Sequence, residues 1–286
     1  MRTCAFNGEK GAYAETAIEK YFGTSVKAIS VNSFEDIFKS VINKEFDFGM
    51  VPVENSTAGC VYQNYDNFVR YKNVKITGSL ILRIEHALLA PQGADINSIK
   101  TVYSHPQALY QCYSFLKSKK FNQRETVSTA TAAHIVKEKN DISNAAIASI
   151  QNAELYDLKI IKEGIQDNKN NFTRFFIISS LQNENNLSEK ENLPVPDRAS
   201  FIFTTKDKPG ALYNCLGIFK KAGLNIKKIE SRPIPENPWT YRFFVDVKVE
   251  CGSYIESMKL ISKFLNELKY VCKDFRMLGI YNEIEI

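Results

Sequence analysis

The stretch FGMVPVENSTAG, residues 48–59, decides the fold class of this protein. Its first six residues are mostly apolar and do not alternate with polar residues, which is typical of a strand buried on both faces. Glu54, Asn55, Ser56 and Thr57 follow directly, so polar side chains stand at the carboxyl end of this strand. A strand that is covered on both faces needs helices on either side, and the stretch therefore predicts an α/β domain.

The chain on both sides of this stretch alternates strand-like with helix-like segments. Ser33 and Asp36 form a capping-box pattern, and apolar residues at helical spacing follow at positions 34, 37, 38, 41 and 42. SLILRIEHALLA, residues 79–90, is predicted to form one long extended segment, and Pro106 suits the first turn of a helix. This alternation over residues 1–180 predicts an α/β domain with a largely parallel sheet.

The C-terminal part, residues 199–286, shows a different order, which is strand, helix, strand, strand, helix, strand. Apolar residues recur at helical spacing over residues 212–222 and 254–268, and they alternate over residues 243–249. This βαββαβ order is that of a ferredoxin-like α/β sandwich. The polar segment LQNENNLSEKENLPVPDR, residues 181–198, is predicted to link the two domains.

Composition and charge place the chain among ordinary globular proteins. The 286 residues include 44% hydrophobic and 24% charged residues, and the net charge is +5. Lys and Arg residues are scattered rather than clustered, which argues against nucleic acid as a partner. No apolar run approaches the roughly 18 residues that a membrane helix needs, and the N-terminal residues show no signal-peptide pattern. We therefore expect neither a nucleic-acid nor a membrane partner.

The six cysteines and three histidines predict neither disulfides nor a metal site. The cysteines lie far apart without a CxxC pair, as is typical of the reduced thiols of a cytoplasmic protein. His86, His105 and His134 lack the spacing of metal ligands. The apolar or helical flanks of His86 and His134 favour packing roles, and His105 precedes Pro106, where it would fix a turn.

Hydroxyl and amide side chains stand next to many of the predicted strands. Thr173 and Arg174 lie where a polar loop becomes an apolar strand, and Ser104, Gln111 and Thr129 follow other strands or begin helices. Taken singly, each Ser or Thr is a typical helix cap. Because ligands of open α/β sheets bind at the carboxyl ends of strands, the whole set predicts a polar, anion-binding cleft.

Five motifs occur in the order and spacing found in prephenate dehydratases. They are GEKGAYAE at 8–15, PVENSTAG at 52–59, YSHPQALYQC at 103–112, STATAA at 128–133 and NNFTRFFI at 170–177. DKPGALYNCL at 207–216 and KKIESRP at 227–233 continue this resemblance into the ACT regulatory domain that such enzymes carry. The resemblance implies a two-lobed catalytic domain like a periplasmic binding protein, followed by an ACT domain. It also implies that prephenate loses water and carbon dioxide to give phenylpyruvate, without a cofactor, in phenylalanine biosynthesis.

The resemblance implies a catalytic role for Thr173, which would donate a hydrogen bond or a proton to the departing hydroxyl. Glu54 would either supply that proton or orient its neighbours, and both roles stay open. Arg174 would anchor a substrate carboxylate or brace the loop by pairing with an acid such as Asp167.

The same resemblance implies four substrate-binding residues. Asn55, Ser104 and Gln111 map onto cleft positions of the family and would bind polar groups of prephenate. Thr129, with the amides at the start of its helix, would hold a carboxylate.

The resemblance also implies feedback regulation by L-phenylalanine, bound between ACT domains of a homodimer or homotetramer. The residues expected to bind this effector are Gly210, Ala211, Leu212, Glu230, Ser231 and Arg232.

Two alternatives remain open beside prephenate dehydratase. Ala12 and Ala14 stand where the family usually has hydroxyl side chains, and a similar motif occurs in arogenate dehydratases, which act on the amino analogue of prephenate. A non-catalytic amino-acid sensor is the other alternative. The intact Thr173–Arg174–Phe175 motif argues against it.

Overall fold

The computed structural model describes residues 1–181 and 194–286 and divides into two compact units. Unit 1 comprises Met1–Asn64, Leu80–Phe175 and Glu285–Ile286, and unit 2 comprises Tyr65–Ser79 and Phe176–Ile284. The predicted linker, residues 181–198, falls largely outside the described residues. Domain boundaries at 180 and 199 stay a prediction, because the compact units divide the chain by contacts rather than by sequence order.

Strands and helices alternate through most of unit 1 and form the βαββαβ order in unit 2. The strands are β1 Arg2–Asn7, β2 Val26–Val31, β3 Phe48–Asn55, β4 Gly59–Cys60, β5 Val74–Arg83, β6 Ala87–Ala90, β7 Thr101–Ser104, β8 Asn122–Glu125, β9 Asn144–Ala148, β10 Lys159–Lys162, β11 Phe172–Ser180, β12 Arg198–Thr205, β13 Asn225–Pro233, β14 Tyr241–Lys248, β15 Cys272–Tyr281 and β16 Glu283–Glu285. The α-helices are α1 Tyr13–Phe22, α2 Phe34–Ile42, α3 Tyr62–Arg70, α4 Pro106–Gln111, α5 Tyr113–Lys119, α6 Thr129–Lys139, α7 Gln151–Leu155, α8 Ala211–Lys221 and α9 Tyr254–Val271.

Unit 1 contains two sheets, each of which forms one lobe with its helices. Sheet I has the order β16-β5-β11-β3-β1-β2, with β4 beside β3, and β5, β11 and β16 contribute residues 80–83, 172–175 and 285 to unit 1. β1 runs parallel to both β2 and β3, so the carboxyl ends of these strands lie at one edge. Sheet II has the order β10-β6-β9-β7-β8, and β7 runs parallel to β8 and β9. The predicted two-lobed α/β fold is confirmed.

The capping box of helix α2 shows how local sequence sets an element of unit 1. The Ser33 hydroxyl accepts a hydrogen bond from the Asp36 backbone N–H at 3.1 Å and donates one to the Asp36 carboxylate at 2.7 Å. Ile37, Phe38 and Val41 then lie on the buried face of the helix. This confirms the predicted helix start and its apolar stripe.

One predicted segment of unit 1 differs from the structure. Residues 79–90 form not one extended segment but two strands, β5 ending at Arg83 and β6 beginning at Ala87. Three residues between them, 84–86, carry the chain from sheet I to sheet II. The reason is that each half pairs with a different sheet, a long-range choice that the continuous apolar pattern does not encode.

The C-terminal part of unit 2 has the strand order β13-β14-β12-β15, and the predicted ferredoxin-like arrangement is confirmed. Its core is apolar and aromatic, with Phe201, Phe219 and Phe264 fully buried and the Phe219 and Phe264 rings 4.6 Å apart. Strand β13 lies at an edge of this sheet. Within residues 1–181 and 194–286, no helix is long and apolar enough to cross a membrane.

Candidate active site

A cavity of about 490 Å³ lies in unit 1 between the edges of sheets I and II. Its lining combines apolar side chains with uncharged polar ones, and among the described residues that line it there is no Asp, Glu, Lys or Arg. The polar side chains of the lining include Tyr13, Asn55, His86, His105, Gln111, Thr129 and Thr173.

The cavity lies where strands end, as the sequence predicted. Asn7 ends β1, Asn55 ends β3, and His105 follows the last residue of β7; all three line the cavity. The carboxyl ends of parallel strands share one edge of a sheet, so side chains from distant parts of the chain meet there.

The central contact joins Asn55 to Thr173. The Asn55 side-chain nitrogen lies within hydrogen-bonding distance of three acceptors, which share its two hydrogens: the Asn171 side-chain oxygen at 2.8 Å, the Thr173 hydroxyl oxygen at 3.0 Å and the Phe172 carbonyl at 3.1 Å. The Thr173 oxygen therefore acts as an acceptor in its bond with Asn55. Its own hydrogen remains available to a group in the cavity, since a hydroxyl has one donor besides its acceptor lone pairs.

The other end of the Asn55 side chain holds the turn that follows β3. Its carbonyl oxygen accepts hydrogen bonds from the backbone N–H groups of Thr57 at 3.0 Å and Ala58 at 2.9 Å. Because backbone N–H groups only donate, they fix which end of the amide is the oxygen.

Gln111, on α4, connects the sheet II side of the cavity to this turn. Its amide nitrogen donates to the Thr57 hydroxyl at 2.8 Å and lies 3.3 Å from the Asn55 carbonyl oxygen. Its carbonyl oxygen accepts from the Asn171 amide at 3.0 Å and lies 2.9 Å from His86 Nε2. Gln111 thus joins three segments of unit 1 in one hydrogen-bond network.

His86 and Tyr13 belong to the same network, and sequence reasoning missed both. His86 is only 2% exposed, and its Nδ1 atom lies 3.0 Å from the Tyr13 hydroxyl. Burial lowers the pKa of His86, and burial also raises the pKa of Tyr13 well above its usual value. The imidazole and the phenol are therefore both neutral near pH 7. The signal for His86 was present, because a histidine within a long apolar run needs polar partners when it is buried.

Thr129 lies at the cavity, as predicted, at the first position of α6. Its neighbour Ser128 is the helix cap, accepting a hydrogen bond from the Thr131 backbone N–H at 3.0 Å. His105 caps α4 in the same way, because its Nδ1 accepts from the Gln107 backbone N–H at 3.2 Å. Capping by Ser128 leaves the Thr129 hydroxyl beside the helix start and facing the cavity.

The structure does not bring Ser104 to the cavity. Ser104 is fully buried, and its hydroxyl donates to the Ile147 carbonyl of the adjacent strand at 2.7 Å. As the last residue of β7, it bonds within sheet II. It is therefore placed as a structural residue.

Glu54 and Arg174 are also absent from the cavity lining. Each is the strand neighbour of a lining residue, Asn55 and Thr173 respectively, and successive side chains of a strand point to opposite faces. Asp167, the proposed partner of Arg174, accepts hydrogen bonds from the Ser114 backbone N–H at 3.1 and 3.3 Å. Of the two roles weighed for Glu54, this placement favours the orienting one.

The predicted effector residues lie in unit 2 in two separate groups. Gly210, Ala211 and Leu212 line a pocket of about 290 Å³ together with the exposed ring of Trp239. Gly210 has φ 76°, a left-handed conformation that suits glycine.

The second effector group ends the edge strand β13 and does not line that pocket. It consists of Glu230, Ser231 and Arg232. The Arg232 guanidinium contacts the Asp66 carboxylate through two hydrogen bonds of 2.8 and 3.2 Å.

Comparisons with known proteins agree with this architecture. The family model described as "Prephenate dehydratase" matches residues 4–183. A prephenate dehydratase from Methanocaldococcus jannaschii is 39% identical over 266 residues, covering 91% of this chain and 94% of its own.

A plant relative and a solved structure extend the comparison. An arogenate dehydratase/prephenate dehydratase from Arabidopsis thaliana is 32% identical, covering 97% of this chain and 70% of its own. The crystal structure of a prephenate dehydratase from Arthrobacter aurescens in complex with L-Phe aligns with a TM-score of 0.85 at 26% identity, over 98% of this chain and 90% of that one. With a family model that covers more than half of its length and a relative this similar over nearly its whole length, the chain belongs to the prephenate dehydratase family.

Proposed function

We propose that this protein converts prephenate to phenylpyruvate. The observation that carries the proposal is the Thr173 hydroxyl, whose oxygen accepts a hydrogen bond from Asn55 and whose hydrogen remains available to the cavity. Family membership and the uncharged polar side chains within the lining support the same reaction.

The proposed step is an elimination that makes the ring aromatic. The bond between the ring and its carboxylate breaks, carbon dioxide leaves, and the electron pair enters the ring. The opposite C–O bond breaks with its electrons, and the leaving hydroxyl takes one proton from solvent to become water. Thr173 donates a hydrogen bond to that oxygen as its charge develops, and Asn55 fixes the rotamer of the threonine. Positioned proton-transfer groups contribute about 10²–10⁴ in rate.

Neutral donors would hold the two carboxylates of prephenate. Thr129 with the first amides of α6 offers one such group, because backbone N–H groups at a helix start point toward anions. Asn55 and Gln111 also line the cavity, but their amide hydrogens already bond to Thr173 and Thr57, so a carboxylate would replace one of these bonds. Uncharged donors can hold a carboxylate that leaves as neutral carbon dioxide, while its electron pair passes through the ring to the departing oxygen.

The charge of the lining favours prephenate over arogenate. Arogenate carries an ammonium group, which needs a carboxylate or several acceptors when it is buried. Among the described residues that line the cavity there is no acidic side chain. The plant relative named for both activities keeps arogenate as the second candidate.

Regulation by L-phenylalanine is the second part of the proposal. We infer that residues 199–286 form an ACT domain and that the Gly210–Leu212 group of one subunit faces the Glu230–Arg232 group of another. Support comes from the edge position of β13, from the pocket at Gly210, and from the L-Phe complex of the Arthrobacter relative. A homodimer or homotetramer is therefore expected.

The remaining parts of the proposal are a cytoplasmic location and a reaction without a cofactor. The six free cysteines support the location, because reduced thiols persist in the cytoplasm. The reaction needs no cofactor because aromatisation drives it.

The experiment that tests the proposal is an assay of the purified protein. We expect phenylpyruvate to form from prephenate, with at least tenfold higher kcat/KM than for phenylalanine formation from arogenate. L-phenylalanine is expected to inhibit this turnover. Absence of turnover with prephenate overturns the proposed reaction, and unchanged turnover with saturating phenylalanine overturns only the regulatory part.

A further inference from the structure

The orientation of two side-chain amides determines the protonation pattern of His86. The Asn55 carbonyl oxygen is identified by the two backbone N–H groups that donate to it. The Gln111 atom that lies 3.3 Å from this oxygen must therefore be a donor, which makes it the amide nitrogen. The opposite atom of Gln111 is then its carbonyl oxygen, 2.9 Å from His86 Nε2.

A carbonyl oxygen only accepts, so Nε2 of His86 must carry a hydrogen. The Asn171 amide, which donates to the same Gln111 oxygen at 3.0 Å, supports this assignment from a second direction. In the neutral ring, Nδ1 then carries no hydrogen. The Tyr13 hydroxyl donates to the Glu85 backbone carbonyl at 2.6 Å and lies 3.0 Å from Nδ1, so its single hydrogen is shared between these two acceptors. The backbone of His86 is held too, because its N–H donates to the Gln166 side-chain oxygen at 3.0 Å.

The hydrogen bonds form a continuous series that ends at the proposed catalytic hydroxyl. His86 donates to Gln111, Gln111 contacts Asn55 and Thr57, and Asn55 donates to Thr173. Each link sets the direction of the next, because an amide can present its oxygen to only one side. A rotated Gln111 would place its oxygen against the Asn55 oxygen and repel it.

We propose that His86, as the Nε2–H tautomer, is a positioning residue that orients Gln111 and Asn55 and so directs the Thr173 hydroxyl into the cavity. This inference rests on the proposed function, because it assigns a role in that same reaction. It also gives the buried histidine a role other than packing.

The proposal separates positioning from acid–base catalysis. Both the neutral Nε2–H ring and the imidazolium donate from Nε2, so protonation of His86 leaves the bond to Gln111 in place. The titratable group that faces the ring is Tyr13 on α1, with Glu85 and Cys112 acting on Tyr13 in turn. Burial keeps the pKa of both Tyr13 and Cys112 high, so neither of them ionises near neutral pH.

The first test reads the tautomer directly and does not require turnover. Nitrogen-15 NMR of the histidine-labelled protein is expected to show His86 as the neutral Nε2–H form at pH 7.5, assigned by its absence in His86→Leu. A neutral Nδ1–H form would overturn the proposal, because Gln111 would then face an acceptor.

The second test compares two replacements of His86 with a matched histidine elsewhere. Gln keeps an amide donor at the place of Nε2, whereas Leu fills similar space without a donor. We expect His86→Leu to lower kcat for prephenate by about 10- to 100-fold, the range that a lost buried hydrogen-bond partner is worth. His86→Gln is expected to recover about tenfold of that loss. His134→Gln, on the half-exposed side of α6, should behave as the wild type.

The pH dependence completes the second test. The acid limb of kcat/KM is expected at the same pH for the wild type and His86→Gln. The reason is that the Nε2–H of His86 and the amide that replaces it both remain hydrogen-bond donors to Gln111 as the pH falls. A shift of about one pH unit, or equal loss in the Gln and Leu variants, would overturn the positioning role. If the wild type itself does not turn over prephenate, the proposed function fails, while the tautomer measurement still decides the hydrogen-bond assignment.

Discussion

The cavity of unit 1 and the proposed effector pocket of unit 2 differ in how their polar groups are arranged. The cavity side chains Asn55, Gln111 and Thr173 already bond to one another before any ligand arrives. The proposed effector residues Gly210–Leu212 and Glu230–Arg232 lie apart on a single chain. The difference teaches that side chains of one chain already meet at the cavity, whereas the proposed effector site would need a second subunit to bring its two groups together.

Both units bury hydrogen-bonded polar side chains. In unit 1, His86 and Ser104 are examples. In unit 2, the buried Ser200 hydroxyl donates to the buried Asp246 carboxylate at 2.6 Å. Each unit also contains apolar clusters, so directional bonds and buried apolar area contribute to both interiors.

The largest expected effect is the replacement of Thr173 with Val, which keeps the β-branched shape and removes the hydroxyl. We expect kcat for prephenate to fall by about 10²–10⁴-fold, because the leaving hydroxyl loses its donor. Steady-state kinetics and a thermal melt check this result. Thr101→Val, on strand β7 outside the cavity, is the matched control. Equal activity in the two variants would mean that Thr173 is not part of the site.

The next effect concerns stability rather than catalysis. Phe219→Ala removes a ring that packs against Phe201 and Phe264 in unit 2 and should lower the free energy of unfolding by about 3–5 kcal/mol. Hydrogen exchange of the α8 and β12 amides measures this loss. Tyr213→Ala, on the exposed face of the same helix, should cost less than about 0.5 kcal/mol. Similar losses in both variants would contradict the assignment of the core.

A smaller effect is expected at the effector pocket. Gly210→Val places a β-branched residue at φ 76°, which only glycine adopts easily, and distorts the start of α8. The phenylalanine concentration for half-inhibition should rise about 5- to 150-fold, the usual range of allosteric coupling. Gly217→Ala, in the same helix with open space around the added Cβ, should leave inhibition unchanged. Normal inhibition of the Gly210 variant would place the effector elsewhere.

The smallest effect concerns a feature that the two units share. Ser33 and Ser253 cap α2 and α9, accepting from the Asp36 and Glu256 backbone N–H groups at 3.1 and 3.2 Å. Replacement of either serine with Ala should cost about 1 kcal/mol of stability in its own unit. Hydrogen exchange of each first turn checks this. If only one of the two replacements lowered the free energy of unfolding, packing rather than the serine cap would hold the helix start in the other unit.

The sequence alone determined the elements and much of the site list. The order of strands and helices, the Ser33 capping box and the βαββαβ arrangement follow from short-range patterns. These patterns act over a few residues, where turn geometry and side-chain spacing decide the outcome. The family motifs likewise identified Asn55, Gln111 and Thr173, which the structure brings together.

Only the tertiary structure decided which of these side chains meet and which way they face. It placed Ser104 inside sheet II, put Glu54 and Arg174 on strand positions beside the lining residues, and ended β5 so that His86 reaches the cavity. Asn55 and Thr173 are 118 residues apart in the chain, and their contact depends on strand pairing. Which strands pair depends on the total apolar surface that whole sheets bury, because no single residue contributes enough free energy to determine the pairing.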